Sequence, residues 1–132
     1  MKIFEAMIEL RDDIDFGSGN DLQHNTRTNQ VYRGAKYRKY KDYVIEVLEE
    51  LADETKLAQI EAETELKCEL AFIFDKLVLT KRNTRDLDNL TKPTNDAIQE
   101  ALNIDDAQIV DLHVKKTNGP KKALFVRLST VE

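Results

Sequence analysis

The chain has 132 residues, with 20 Lys and Arg against 25 Asp and Glu, so its formal net charge at pH 7 is −5. Its length fits one domain, and its apolar runs are far shorter than the ~20 residues that cross a bilayer. One cysteine and no signal sequence predict a cytoplasmic protein. The acidic balance, taken alone, argues against a nucleic-acid partner.

The first half of the chain predicts two strands separated by a helix. Apolar residues alternate over residues 3–10, which predicts a first strand. Residues 12–30 are polar, so we expect a loop there. From about Gly34, apolar side chains follow helical spacing, and the helix ends in the low fifties or, with a break, in the low sixties. Residues 66–74 alternate again and predict a second strand.

The second half predicts a helix followed by two strands. Apolar residues over 87–102 mark one helical face, and Pro93 is expected in the first turn, where a missing N–H is tolerated. Residues 109–114 and 123–128 predict a hairpin around the turn 118–120. The order strand, helix, strand, helix, strand, strand predicts an α+β fold, a single domain over residues 1–132 in which helices pack on a mixed β-sheet.

Charge is distributed in stripes along the chain. Residues 27–43 hold six basic residues, one acid and all four tyrosines. Cations interleaved with aromatic rings suit a nucleic acid, but an ordinary exposed helix has the same composition, and both interpretations stay open. Residues 44–69 hold nine acids and two lysines, and over residues 44–65 this composition favours a solvated helical face over an acidic binding surface. The net charge therefore does not exclude DNA.

Carboxylates cluster around the helix predicted in the second half. Asp86 and Asp88 lie two residues apart and project to the same side of an extended segment. Spacings of four place Asp88, Lys92 and Asp96 on one helical face, and the pair at 105–106 follows the helix end. Clustered carboxylates repel one another unless a cation neutralises them, and Mg²⁺ prefers such ligands. The pattern predicts a metal site for phosphoryl transfer, with a lysine beside it to offset negative charge.

Each residue of this cluster also has a purely structural interpretation. Asp86 or Asp88 suits a helix N-cap, Lys92 suits an ion pair with Asp88 or Asp96, and the pair at 105–106 suits a turn. Taken together, five acids and a lysine around one helix favour a metal site.

Cysteine or serine nucleophiles have no support in the sequence. Cys68 lies in the strand predicted over 66–74 without a histidine close in sequence, so it is expected to be a buried packing residue. His24 and His113 are expected at the surface or in a strand rather than as metal ligands.

One motif is specific enough to indicate a family. The run Arg85-Asp86-Leu87-Asp88-Asn89-Leu90-x-Lys92-x-x-x-Asp96-Ala97-Ile98, followed by Asp105-Asp106-x-x-Ile109, resembles the RusA family of Holliday junction resolvases. The resemblance is specific over residues 85–116 and general elsewhere. It implies a homodimeric endonuclease that binds four-way DNA junctions, uses Mg²⁺ or substituting Mn²⁺, and makes paired cuts in DNA recombination and repair. A bacterial, phage or prophage origin is implied as well.

The resemblance also assigns roles to residues. It implies that Asp86, Asp88 and Asp106 bind the metal and that Lys92 is the catalytic lysine. Arg85 and the basic Tyr32-Arg33 region, which resembles the family's Asn-x-x-Tyr/Trp-Arg motif starting at Asn29, are implied to contact DNA. The DNA-binding residues expected from the resemblance and from the basic stripes are Arg33, Lys36, Arg38, Arg85 and Lys116.

Two other functions stay open on the sequence alone. A non-catalytic DNA-binding module of replication or recombination would use the acids only to cap helices, and the Tyr/Arg stretch to bind. A nuclease of broader specificity would cut flaps or forks. Dependence on divalent ions separates the module from the enzyme, and competition between junction and linear duplex separates the two nucleases.

Overall fold

The computed structural model describes residues 1–19, 21–53, 57–58, 60–77, 79 and 86–131. Its elements are β1 (Lys2–Glu9), β2 (Leu22–Asn25), β3 (Gln30–Arg33), α1 (Ala35–Leu51), β4 (Leu66–Phe74), α2 (Leu87–Leu102), a 3₁₀ turn (Asp106–Gln108), β5 (Ile109–Asn118) and β6 (Ala123–Thr130). A mixed sheet with helices packed on it confirms the predicted α+β class. Neither described helix is long and apolar enough to cross a membrane.

The main sheet has four strands in the order β1-β6-β4-β5. β6 runs antiparallel to both β1 and β4, whereas β5 runs parallel to β4. The predicted hairpin of the last two strands is therefore wrong, because β5 and β6 lie on opposite sides of β4. β4 is apolar and largely buried, because it is a central strand with β6 on one side and β5 on the other. Gly119 carries the connection across its end: the Gly119 N–H donates to Phe74 O at 2.8 Å, and a Cβ there would lie 2.5 Å from Ile73 Cγ2.

The core lies between one face of the sheet and the two helices. α1 contributes Tyr40, Val44 and Leu48, and α2 contributes Leu90 and Ile98, all fully buried. Cys68 on β4 is also fully buried, and burial raises the pKa of its thiol to about 12. The prediction that Cys68 is a packing residue is confirmed.

Three of the four tyrosines have structural roles. The Tyr40 and Thr94 hydroxyls hydrogen-bond at 2.7 Å within the core, and the Tyr43 O–H donates to Glu9 O at 2.6 Å. Tyr37 is buried as well, whereas Tyr32 is 49% exposed. The aromatic spacing over residues 37–43 therefore reflects the packing of α1, and Tyr32 alone offers an exposed ring.

The segment 12–30 contains structure that its sequence did not predict. β2 and β3 pair as an antiparallel hairpin, with Leu22 opposite Arg33 and Asn25 opposite Gln30. Almost every residue of both strands is exposed. A strand that is solvated on both faces has no apolar alternation, so the period-two signal is missing.

Pro93 is also placed differently from the prediction. It is the seventh residue of α2 and lies inside the helix. Because proline has no N–H, the carbonyl of Asn89 lacks its usual donor from residue 93. The Gly19 N–H donates to Asn89 O at 2.8 Å instead, which joins the segment before β2 to the first turns of α2. The acidic face of α1, with Glu46, Glu49 and Glu50, is exposed as predicted.

Candidate active site

A cavity of about 410 Å³ lies between α2 and the edge strand β5. Leu112 and Val114 of β5 form its apolar part, and Asp106 enters from the 3₁₀ turn. The remaining lining side chains come from α2: Leu87, Asp88, Thr91, Lys92, Asn95, Asp96 and Gln99. Three of the predicted site residues, Asp88, Lys92 and Asp106, therefore share one cavity.

The helical period explains why α2 supplies so many of these groups. Asp88, Lys92 and Asp96 follow one another at spacings of four, so they lie along one face of the helix. The opposite face buries Leu90 and Ile98 against the sheet. Burial of the apolar face thus directs the polar stripe toward β5, and the prediction of a shared face is confirmed.

The structure separates the two residues of the Asp105-Asp106 pair. The Asp105 carboxylate accepts a hydrogen bond from the Ala107 N–H at 2.9 Å, and the Asp105 N–H donates to Gln108 Oε1 at 2.9 Å. This capping box gives Asp105 a structural role in the 3₁₀ turn, as the turn interpretation of the pair predicts. Asp106, in contrast, lines the cavity, and its carboxylate makes no hydrogen bond or ion pair with any residue that the structure describes.

The other structural interpretations of the cluster are not realised. Asp86 occupies the N-cap position of α2 without a capping hydrogen bond from its side chain. Lys92 forms no ion pair with Asp88, Asp96 or any other described residue. Asp88 lies in the first turn, where the helix dipole favours an anion. These charged groups are therefore available to a ligand.

In the described part of the chain, the carboxylates around the cavity are spread apart. Across the described ranges, no three Asp, Glu, His or Cys side chains are grouped closely enough to hold an ion. Asp88 and Asp106 line the cavity, whereas Asp86 is not among its lining residues. The donor set still suits a hard divalent cation, because it consists of carboxylate oxygens without other partners.

Tyr37 connects α1 to the edge of this cavity. Its hydroxyl donates to the Asp96 carboxylate, and its backbone N–H donates to Asp21 Oδ2 at 3.1 Å. Burial, reinforced by the hydrogen bond to Asp96, raises the pKa of Tyr37 to about 12. The guanidinium of Arg33 lies 4.6 Å from the centroid of the Tyr37 ring. Asp96 is thus held by α1 rather than left facing Lys92.

The residues predicted to bind DNA are dispersed. Arg33 donates from Nη1 to Gly19 O at 2.7 Å, so part of its role is structural. Lys36 and Arg38 are exposed on the first turns of α1, and Lys116 lies on β5 beside Phe72 in register. Arg85 falls outside the described residues. DNA contact by all of these stays a prediction.

Two polar residues of the cavity were not among the predicted site residues. Asn95 and Gln99 line it, and Asn95 Oδ1 is a buried oxygen that lacks a hydrogen-bond partner within the described part of the chain. The sequence contains a signal for both, because they follow Lys92 by three and seven residues and so lie on the same helical face.

Comparison with known families identifies the family of the chain. The model of the family Endodeoxyribonuclease RusA matches residues 16–129. The match includes β2, β3, both helices and every residue that lines the cavity. None of the curated proteins compared with the chain matches it.

Proposed function

Because the chain belongs to the RusA family of endodeoxyribonucleases, we propose that it resolves four-way DNA junctions by Mg²⁺-dependent phosphodiester hydrolysis. The observation that carries this proposal is the single cavity that collects Asp88, Lys92 and Asp106, each without a partner in the described chain. These carboxylates and this lysine are exposed and lack protein partners among the described residues, so they are free to bind a metal ion and a phosphate.

The family resemblance assigns the divalent ion to Asp86, Asp88 and Asp106. Of these, Asp88 and Asp106 line the cavity and would supply carboxylate oxygens, with water completing the shell of the ion. A bound Mg²⁺ supplies a Lewis acid that polarises the phosphodiester and makes a water more acidic. Mn²⁺ offers the same oxygen-preferring chemistry and is expected to substitute. Asp88 comes from the first turn of α2 and Asp106 from the turn before β5, so the packing of these two elements would set the spacing of the two carboxylates.

Lys92 acts on the phosphate itself. Water adds to phosphorus, one P–O ester bond breaks, and the leaving oxygen takes a proton, so negative charge grows on the non-bridging oxygens in the transition state. The ammonium of Lys92 offsets that charge. Leu112 and Val114 form an apolar wall on the β5 side of the cavity.

A homodimer suits the proposed substrate. A four-way junction has approximate two-fold symmetry, and a C2 dimer presents two equal sites to opposing strands. Paired cuts then follow from symmetry. Contacts from Arg33, Lys36, Arg38, Arg85 and Lys116 are proposed to hold the DNA arms, offsetting the net charge of −5 locally.

The decisive experiment compares Asp88→Asn with Asp42→Asn, an exposed aspartate on α1. With a synthetic four-way junction and Mg²⁺, single-turnover cleavage by Asp88→Asn is expected to fall at least about a hundredfold. Asp42→Asn is expected to cleave like the wild type. Cleavage by Asp88→Asn at the wild-type rate would refute the assignment of Asp88 and its cavity as the active site.

The same assay separates the remaining functions. Binding without cutting at any Mg²⁺ or Mn²⁺ concentration would identify a non-catalytic DNA-binding module. Equal cleavage of a linear duplex in competition with the junction would identify a nuclease of broader specificity.

A further inference from the structure

The hairpin β2–β3 exposes apolar side chains that nothing in the described structure covers. Leu22 is 52% exposed, Val31 64% and Tyr32 49%. The strand register places Leu22 and Val31 on one face of the hairpin and Tyr32 on the other, so apolar groups are exposed on both faces. Exposed apolar groups of this kind commonly mark a contact with a partner. Four residues per strand and the turn let the hairpin project by roughly 13 Å.

The charge of this segment indicates the kind of partner. Residues 22–33 contain Arg27, Arg33 and His24 and no acid, in a chain with 25 acids. Lys36 and Arg38 continue the basic surface on α1 directly after the hairpin. A cationic element with exposed apolar groups complements a nucleic acid, whose phosphates are anionic and whose unpaired bases are flat and apolar.

The turn of the hairpin is built from side-chain hydrogen bonds. Asn25 Oδ1 accepts from the Arg27 N–H at 3.0 Å, and Asn29 adopts a left-handed φ of 56°. His24 Nε2 lies 3.0 Å from Asn29 Oδ1 across the turn. A turn fixed in this way holds Arg27 at the tip before any ligand arrives, which reduces the entropy lost on binding.

The base of the hairpin is tied to the helix that carries the cavity. Arg33 donates to Gly19 O, and the Gly19 N–H donates to Asn89 O of α2 at 2.8 Å. Gly19 also lies beside the stem of Lys92: a Cβ on Gly19 would be 3.4 Å from Lys92 Cβ. On the other side, Asp21 accepts the backbone N–H groups of Gly34 and Tyr37. The position of the hairpin relative to Lys92 is therefore fixed.

We propose that β2–β3 is a branch-point prong: it enters the centre of the four-way junction, where Tyr32 stacks on a base that has lost a stacking neighbour and Arg27 contacts a phosphate. The inference rests on the proposed function for its substrate. Bases at a branch point expose a π-face that an aromatic ring covers without sequence preference. Because the prong is anchored beside Lys92, its insertion sets the distance from the branch point to the cleaved phosphate.

The test measures binding without cleavage. A junction carrying 2-aminopurine at its centre, and a linear duplex with the same label, are titrated in Ca²⁺ with the wild type, Tyr32→Ala and Tyr32→Phe. Wild type is expected to change the fluorescence of the junction only. Tyr32→Ala should bind the junction about tenfold more weakly and lose most of the fluorescence change, with duplex affinity unaltered. Tyr32→Phe, which keeps the ring, should match the wild type.

Three results would overturn the prong. The first is full junction affinity and a full fluorescence change in Tyr32→Ala. The second is a loss of affinity in Tyr32→Ala that is equal for the junction and the duplex. The third is a change in the sedimented mass of free Tyr32→Ala relative to the wild type, which would make the hairpin a contact between protein chains. Failure of the proposed function is separate, because it appears as cleavage by Asp88→Asn or as no cleavage by the wild type. A junction that is bound with the expected signal but left uncut would support the prong and refute the hydrolysis.

Discussion

The helices α1 and α2 are nearly equal in length, with 17 and 16 residues, and cover the same face of the sheet, yet they differ in what they leave unpaired. Lys41 of α1 pairs with Glu100 of α2 at 3.0 Å. Lys92 of α2 has no such partner in the described structure. Lys41 thus contributes to the contact between the helices, whereas Lys92 makes no such contact with the described residues and is the lysine that the proposed function uses.

The buried faces differ in the same sense. α1 buries Tyr37, Tyr40, Val44 and Leu48, all large and apolar apart from their hydroxyls. α2 also buries Pro93, a residue that helix interiors disfavour. A residue that is unfavourable in a helix can therefore stabilise a neighbouring segment, as Pro93 does by leaving Asn89 O free for the Gly19 N–H. Three substitutions test this difference between α1 and α2.

The largest effect is expected from Lys92→Met, with Lys41→Met as its matched control on α1. Removing the charge of Lys92 should slow single-turnover junction cleavage about a hundredfold, because the phosphate loses its cation in the transition state. Lys41→Met should cleave at nearly the wild-type rate. An equal loss of cleavage rate in the two variants would show that Lys92 has no special role in cleavage, and that α1 and α2 do not differ in this respect.

An intermediate effect is expected from Pro93→Ala, with Pro120→Ala in the β5–β6 connection as its control. Alanine restores an N–H that competes for Asn89 O, so the Gly19 N–H should lose its acceptor. Hydrogen exchange at the Gly19 amide should then accelerate about tenfold, as expected for the loss of one hydrogen bond. Unchanged exchange at Gly19, alongside unchanged global stability, would show that the loop is held without this bond.

The smallest effect is expected from Tyr37→Phe, which removes the hydrogen bond from Tyr37 to Asp96, one of the connections between the helices. At pH 7 the free energy of unfolding should fall by about 1 kcal/mol, measured by urea denaturation. The pKa of Tyr37 is raised from 10.0 to about 12, so the folded state holds this proton more tightly. Its contribution is complete below pH 10 and is lost as the pH rises through 12.

The control for this pH dependence is Tyr32→Phe, which changes an exposed ring. The stability difference between wild type and Tyr37→Phe should shrink from pH 9 to pH 11.5, whereas Tyr32→Phe should show no such trend. A difference that stays constant over this range would mean that the Asp96 hydrogen bond does not depend on the Tyr37 proton.

Local patterns predicted the elements well and their arrangement poorly. The start of α1 after Gly34 and the alternation of β4 follow from the sequence, because burial of one face leaves a period that can be read. The pairing of β5 with β4 could not be predicted, since strand order depends on contacts between distant segments. Pro93 was misplaced for a similar reason: its compensating donor is Gly19, far away in the chain.

The site was predictable where chemistry and helical period coincide. Asp88 and Lys92 were identified because charged residues at a spacing of four point to one face. Asp106 was distinguished from Asp105 only by the family resemblance, and the capping box of Asp105 gives the physical reason. Asn95 was missed because an amide on a helix is usually a solvated residue, and only its burial without a partner sets it apart.

The strand order has a consequence for how the protein is made. β6 follows every other described element in the chain, yet it lies between β1 and β4 and is the strand that joins them. On a ribosome, β1 emerges first and must wait, unpaired, until β6 has left the exit tunnel. The sheet therefore closes only after α2 and its charged residues have been synthesised, and a truncated chain that lacks β6 has no complete platform beneath the cavity.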